Sequence, residues 1–152
     1  MRAFWVSERL VFGSAICSWQ DVRRLHEMGL THVINLRSSR RYRNKLRSFH
    51  RLWLPFPDDK EARPIWFYRD ALRFYERAIE TDSSKVHVMC HRGICRSASL
   101  AYFLLRASGF TRTRATNAIL HVRPSAIICR AYRESGEEFL ARKKPSTGKH
   151  RK

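Results

Sequence analysis

In the stretch VHVMCHRGICRSA, residues 86–98, a cysteine is followed after five intervening residues by an arginine: Cys90 and Arg96. A β-branched run leads in and the apolar run ASLAYFLLRASG leads out, so the pattern predicts a tight turn between a strand and a helix. Such a turn aims backbone N–H groups and a helix N-terminus at one point and makes an anion cradle. A phosphate lying there would be forked by the Arg96 guanidinium. The same positive field would hold Cys90 as the thiolate, the nucleophilic form. Gly93 gives the loop a backbone shape that a side chain opposes. Thiolate and phosphoryl group then meet in line, and a phosphocysteine intermediate splits one hard hydrolysis into two easier steps. The Ser97 hydroxyl can hydrogen-bond the sulfur and ease its departure in the second step. His91 and Arg92 are expected on the rim, where they make the mouth more cationic. With Gly93, Ile94, Cys95 and Arg96 they complete the loop that would wrap the phosphate.

Two other readings of these residues compete. A cysteine before an apolar helix can be a core residue, but the strand before it, the glycine inside and the Arg-Ser after it favour chemistry. Cys90 and Cys95 with His87 and His91 could also suggest zinc, but no second ligand pair follows, and Cys17 and Cys129 stand alone. A phosphocysteine route calls for neither metal nor cofactor.

The elements around this loop follow from periodicity and breakers. Residues 4–6 and 10–12 read as short strands about a turn. A helix is expected from Asp21 to Met28, begun near Ser18 or Asp21 and stopped by Gly29. Residues 31–37, THVINLR, and 51–56, RLWLPF, read as strands, the second ended by Pro57. Pro64 to Ile79 carries a helical apolar stripe of Ala71, Leu72, Phe74, Tyr75 and Ile79. After the Cys90 loop come a helix stopped by Gly109, a second capped by Thr111 and ended before Pro124, and a third over Cys129–Arg142. Strands alternating with helices, then a helical C-terminal half, predict an α/β domain with a central, mainly parallel sheet flanked by helices. Residues 1–142 are expected to form one catalytic domain, and 143–152 a basic, disordered tail.

Length and composition agree with one domain: 152 residues, 43% apolar and 12% aromatic. No run is long and apolar enough to span a membrane. No secretory signal is visible, and the cysteines lack the spacing of a disulfide framework, so a reducing cytoplasm is the expected setting. The formal net charge is +18. Part of it sits in residues 37–51, where Arg37, Arg40, Arg41, Arg43, Lys45, Arg47 and Arg51 occur with no acid between them. Such a run is a solvated loop face or a docking surface for an anion, and charge alone does not choose.

The loop and its surroundings resemble a compact dual-specificity phosphatase of the cysteine-dependent protein tyrosine phosphatase superfamily. Members carry His-Cys-x5-Arg-Ser/Thr, matched here by Cys90, Arg96 and Ser97, with Met89 in place of the histidine. LVFGSAICSWQDVRRLHEMGLTHVINLR is similar to the family's opening segment, and NAILHVRP to its helix after the catalytic loop. The resemblance implies a tyrosine phosphatase-like fold and a general acid about thirty residues upstream of the cysteine. Asp58 and Asp59 both qualify, and the register of LPFPD against Ala71-Leu72 favours Asp58. Low-molecular-weight tyrosine phosphatases also lack that histidine, and their loop ends Ile-Cys-Arg-Ser, as residues 94–97 do here. They use the second cysteine to trap an oxidised nucleophile as a disulfide, which implies that role for Cys95.

The resemblance implies a phosphomonoesterase whose partner is a phosphorylated protein, with phosphotyrosine and also phosphoserine or phosphothreonine as targets. RNA 5′-triphosphate ends or phosphoinositides are the polyanionic alternatives that the charge suggests. A non-catalytic phospho-binding module is a third reading, and the retained cysteine, arginine, serine and aspartate speak against it. Neither the physiological substrate nor the oligomeric state follows from the sequence. If the nucleophile is Cys90, Cys90→Ser abolishes turnover of an aryl phosphate while the cradle still binds the ligand. Appreciable hydrolysis by a clean preparation of that variant would reassign the nucleophile.

Overall fold

The computed structural model describes residues 1–143. Most of the expected tail, 144–152, lies outside the described residues, and Lys143 closes the last helix instead of opening the tail. Five strands form one sheet in the order β1-β2-β5-β3-β4: β1 Ala3–Trp5, β2 Leu10–Gly13, β3 His32–Asn35, β4 His50–Trp53 and β5 Val86–Met89. β1 runs antiparallel to β2, and the other three pairings are parallel. The central strand, VHVM, is buried along its whole length because helices cover both faces. Gly13 pairs with Met89, Met89 with Asn35, and Asn35 with Trp53. This row marks the carboxyl edge of the sheet, where open α/β sheets receive ligands.

α1, Trp19–Glu27, covers one face. Its Val22 and Leu25 pack with Val11, Ile16, Val33 and Met89. On the other face lie α2 (Ile65–Ile79), α3 (Arg96–Ala107), α4 (Arg112–Val122) and α5 (Arg130–Lys143). α3 is buried from Ser97 to Leu105 and is the central helix of that layer. The larger core joins Phe12, Ile34 and Val88 from the sheet to Phe67, Leu72, Phe103, Leu104 and Ile119 from the helices.

Several element ends depart from the sequence reading. α1 starts at Trp19, earlier than expected, because Ser18 and Asp21 form a reciprocal capping box. The Asp21 amide donates to Ser18 Oγ at 3.1 Å, and the Asp21 carboxylate accepts from the Ser18 and Cys17 amides. β3 ends at Asn35 because the Arg37 amide turns back to Asn35 Oδ1 at 3.0 Å. β4 ends at Trp53 because Pro55 cannot donate to a ladder. Leu54 and Phe56 still reach the Asn35 and Leu36 carbonyls singly. The basic run is not a plain loop. Tyr42 adopts a left-handed φ of 66° and starts a 3-10 turn, Arg43–Leu46, that buries Leu46 against the α1 layer.

His87 sits in the middle of β5, fully buried, and neither ring nitrogen has a hydrogen-bond partner among the described residues. Burial pushes its pKa down to about 4, only partly offset by the nearby Ser14 backbone, which makes no aligned hydrogen bond to the ring. The unfolded chain takes up a proton here below pH ~6.5, whereas the folded chain refuses it until about pH 4. Stability therefore falls as pH drops through that window, by on the order of 1–3 kcal/mol from this residue. Urea titrations at pH 7 and pH 4.5 should show a steeper loss for wild type than for His87→Leu. Equal losses would mean that His87 is already protonated in the fold.

Candidate active site

The chain leaves β5 at Met89 and turns through residues 90–95 into α3 at Arg96. Backbone contacts fix this turn before any side chain acts. The Cys90 amide donates to the Gly13 carbonyl at 3.2 Å, and the Ala15 amide to the His91 carbonyl at 3.2 Å. The Ile127 amide, on the α4–α5 connection, donates to the Ile94 carbonyl at 2.8 Å. Gly93 has φ 68°, and a Cβ there would fall 2.5 Å from the Gly13 carbonyl carbon and 2.6 Å from the Ser14 nitrogen. Only glycine meets both conditions. Met89 is buried on the α1 face. It contributes packing, and the order of the loop comes from these backbone contacts.

Two groups converge on the Cys90 sulfur. The Gly93 amide donates to Cys90 Sγ at 3.2 Å, and the Cys90 thiol donates to Ser97 Oγ at 3.2 Å, a bond whose direction reverses if the thiol ionises. Ser97 is fully buried, so its hydroxyl has no water to compete for. Arg96 is half-buried and aimed by the sheet. Its Nη1 donates to the Phe56 carbonyl at 2.9 Å and the Leu36 carbonyl at 3.3 Å. That spends the two Nη1 protons on backbone and leaves Nε and Nη2 as a parallel fork for two phosphate oxygens. His91 and Arg92 are exposed on the rim and Ile94 is half-buried.

Cys95 is buried under the loop, and its thiol is pushed up to about 12, by burial first and by the charge of Asp58 next. All four cysteines are free. A buried thiol held in its neutral form attacks a sulfenic acid slowly.

The two aspartates part company. The Asp59 carboxylate takes the Arg63 guanidinium at 2.7 and 3.0 Å and the Glu61 amide at 2.9 Å. The Glu61 amide and Arg63 hold it below the usual carboxylate range. Asp58 has no such ion pair among the described residues, and its charge is felt at Cys95 inside the loop. The Tyr132 hydroxyl stands 3.4 Å from Asp58 and 3.5 Å from Asp59 and accepts the Lys60 amide at 2.8 Å. Lys60 is a non-glycine residue at φ 60°. Tyr132, with Ser135 on the Arg63 amide, ties this strained turn to α5.

Arg123 is a charged neighbour that the sequence reading named only within NAILHVRP, without a role. It is buried, its Nε and Nη1 have no partner among the described residues, and its guanidinium lies 4.9 Å from the Phe4 ring centroid. Burial and nearby Arg2 disfavour its charge, whereas Cys90 favours it. The cue in sequence was an arginine before proline at a helix end, but nothing there places it near Cys90. Among the described residues no three His, Cys, Asp or Glu side chains converge as a metal site would require.

Comparison with known proteins matches residues 12–134 to the family described as dual specificity phosphatase, catalytic domain. The structure is also similar to Tk-PTP in its active form, at 20% identity over 92% of this chain and 97% of that one, with a TM-score of 0.77. DUSP15 superposes at 22% identity, over 90% of this chain and 86% of that one, with a TM-score of 0.76. PTPMT1 in complex with PI(5)P superposes at 17% identity, over 92% and 97%, with a TM-score of 0.72. At these identities the superpositions speak for a shared fold.

The different surroundings of the two aspartates separate them experimentally. Asp58→Asn should lower kcat by about 10²–10⁴-fold, the scale of general acid catalysis, with a smaller loss on nitrophenyl phosphate, whose leaving group needs less help. Asp59→Asn should act more mildly, through the turn it pairs. Steady-state kinetics on a phenyl and a nitrophenyl phosphate check this, and a reversed pattern would move the acid to Asp59.

Proposed function

The chain belongs to the dual-specificity phosphatase catalytic-domain family and is a cysteine-dependent protein tyrosine/dual-specificity phosphatase, and we propose that it dephosphorylates phosphotyrosine, and also phosphoserine and phosphothreonine, in proteins through a phosphocysteine at Cys90. The observation that carries the mechanism is the sulfur of Cys90 in hydrogen-bond contact with the Gly93 amide and the Ser97 hydroxyl, beside an Arg96 whose second edge is a fork. In the first step Cys90 Sγ attacks phosphorus as the P–O bond to the substrate breaks, and Asp58 gives its proton to the leaving oxygen. Arg96 and the loop amides take the charge that builds on the equatorial oxygens. In the second step water attacks phosphorus, Asp58 takes the water proton, and the S–P bond breaks while Ser97 donates to the departing thiolate. A reducing cytoplasm keeps Cys90 free for this cycle.

A polyanionic substrate is the second reading. It draws on the exposed rim residues His91 and Arg92, on the acid-free run from Arg37 to Arg51, and on the likeness to PTPMT1, a protein solved with PI(5)P. Turnover of a phosphotyrosine peptide, a phosphoserine peptide, a phosphoinositide and a 5′-triphosphate RNA should be compared side by side. The expected result is the highest kcat/KM on the phosphotyrosine peptide. Acid quench with labelled substrate should trap phosphate on Cys90, and more of it in Ser97→Ala, whose second step slows. Tenfold higher kcat/KM on the lipid or the RNA would overturn the protein assignment, and absence of trapped label would overturn the intermediate.

A further inference from the structure

The segment from Arg37 to Trp53 bears on more than the catalytic loop. Between residues 28 and 57 the chain has no aspartate or glutamate, yet it carries Arg37, Arg40, Arg41, Arg43, Lys45, Arg47 and Arg51. None of these seven forms an ion pair among the described residues. All except Arg37 and Lys45 are exposed. The nearby Asp21 is spent on the α1 cap and lies 3.7 Å from the N-terminal amine. A surface that keeps this many cations unpaired stores a repulsion that an anion relieves.

The cations are interleaved with rings. The Arg43 guanidinium lies over Trp53 at 4.0 Å. Lys45 lies over Trp19 at 4.7 Å and near Tyr42 at 5.6 Å, and Arg41 covers Tyr42 at 4.8 Å. Trp19 is 61% exposed, which is unusual for so large an apolar side chain. Arg43, Arg47, Arg51 and Trp53 line an open cleft of about 390 Å³ with Asn35 and Asn44. This size lies within the range of small-ligand sites.

The position ties this surface to the catalytic edge. Trp53 and Asn35 lie in the same row across the sheet as Met89, the residue before Cys90. The Trp53 indole donates to the Arg37 carbonyl at 2.7 Å, and the adjacent Leu36 carbonyl receives Arg96. Trp19 begins α1 just after the Gly13–Ala15 turn that holds the catalytic loop.

We propose that this face is a docking site for single-stranded nucleic acid, with Arg43, Arg47 and Arg51 on successive phosphates and Trp19, Tyr42 and the Arg43–Trp53 pair as stacking platforms for bases. Phosphate contacts alternating with flat π surfaces are the recognition chemistry of a single strand, whose bases are free to stack. A duplex hides its base faces. An anionic bilayer asks for a cluster of apolar anchors beside the cations, but Trp19 stands on this face without aliphatic company: the other exposed large apolar side chains among the described residues, Ile65, Trp66, Leu120 and Ile127, lie on α2, α4 and the α4–α5 connection. An acidic protein pairs with the charges, but it does not offer a run of flat π faces to set against the rings as successive bases do. The docking site stands apart from the substrate assignment, because binding is read without turnover.

The test is fluorescence anisotropy with a labelled oligonucleotide of about ten bases, as single-stranded RNA, single-stranded DNA and duplex. Single strands should bind with Kd in the ~10⁻⁶–10⁻⁴ M range at physiological salt, with a log–log salt slope near about −2 for three phosphates. The triple variant Arg43→Gln, Arg47→Gln, Arg51→Gln should weaken binding at least ~10-fold and flatten that slope. A charge-matched control on the opposite layer, Arg69→Gln, Arg73→Gln, Arg77→Gln, should change it less than ~2-fold by removing only distant, screened charge. Both triple variants should hydrolyse nitrophenyl phosphate like wild type, which also shows that they fold. Trp19→Ala should weaken the oligonucleotide but not inorganic polyphosphate, which has charge without bases. Orthovanadate filling the catalytic loop should leave the oligonucleotide bound. Equal losses in the two triple variants, preference for duplex, tighter binding to anionic phospholipid vesicles, or displacement by orthovanadate would each overturn the site.

Discussion

The backbone of Gly93 lies against the Gly13–Ser14 peptide so closely that no side chain fits between them. A loop that wraps a phosphate must turn its amides inward, and that puts the outer side of its backbone against the neighbouring strand end. Here the neighbour is β2, and its own last residue is glycine for a related reason: a Cβ on Gly13 would fall 1.9 Å from the Arg2 carbonyl oxygen. Two glycines from distant parts of the chain thus let three backbones stack at the carboxyl edge: β1, the end of β2 and the catalytic loop. The Gly93 amide that reaches Cys90 Sγ is a consequence of this packing.

The rest of the candidate site is built by committing some polar groups to protein partners, so that others stay uncommitted among the described residues. Arg96 gives one nitrogen to the carbonyls of Leu36 and Phe56, which fixes the plane of the guanidinium and leaves its other edge open. Asp59 gives its carboxylate to Arg63 and to the turn, which leaves Asp58 as the carboxylate nearer the loop. Tyr132 accepts the Lys60 amide and so stands between the two carboxylates, holding the turn to α5. In each case a neighbouring backbone or ion pair decides which of two similar groups stays available. The geometry therefore depends on the ends of β3, β4 and α5 as much as on the loop itself.

These dependencies set what sequence could convey. The Cys90–Arg96 turn was legible because its chemistry is local: strand, five loop residues and helix follow one another in the chain. The sheet class was legible from the alternation of elements, and the helices from their apolar stripes and caps. The strand ends at Asn35 and Trp53 were not, because the Asn35 side chain stops one by accepting a backbone amide and Pro55 stops the other by lacking an amide to donate, and hydrophobicity registers neither. In the sequence only register separates Asp58 from Asp59; the Arg63 pair that gives Asp59 different surroundings comes from the fold of the turn. Arg123 was invisible as a neighbour of Cys90, since its burial beside Phe4 joins the first strand to the end of α4.

The charge of the chain now has a location as well as a total. A cation evenly spread over a surface is screened within about 10 Å at moderate salt and does little at a distance. Seven cations within one acid-free segment add to a local potential, and the segment is folded so that this potential borders the catalytic mouth. The 3-10 turn at Arg43–Leu46 makes that arrangement stable. Leu46 is buried against the α1 layer, so the turn is anchored by apolar packing while its arginines stay outside. Trp53 and Tyr42 hold the guanidinium and ammonium groups over their faces at little cost in solvation. The like charges are thereby fixed near one another in the absence of counter-charge, which a flexible loop would avoid by spreading. An extended polyanion lying along the segment meets this field at several phosphates at once, whereas a small monoanion or dianion meets it at one.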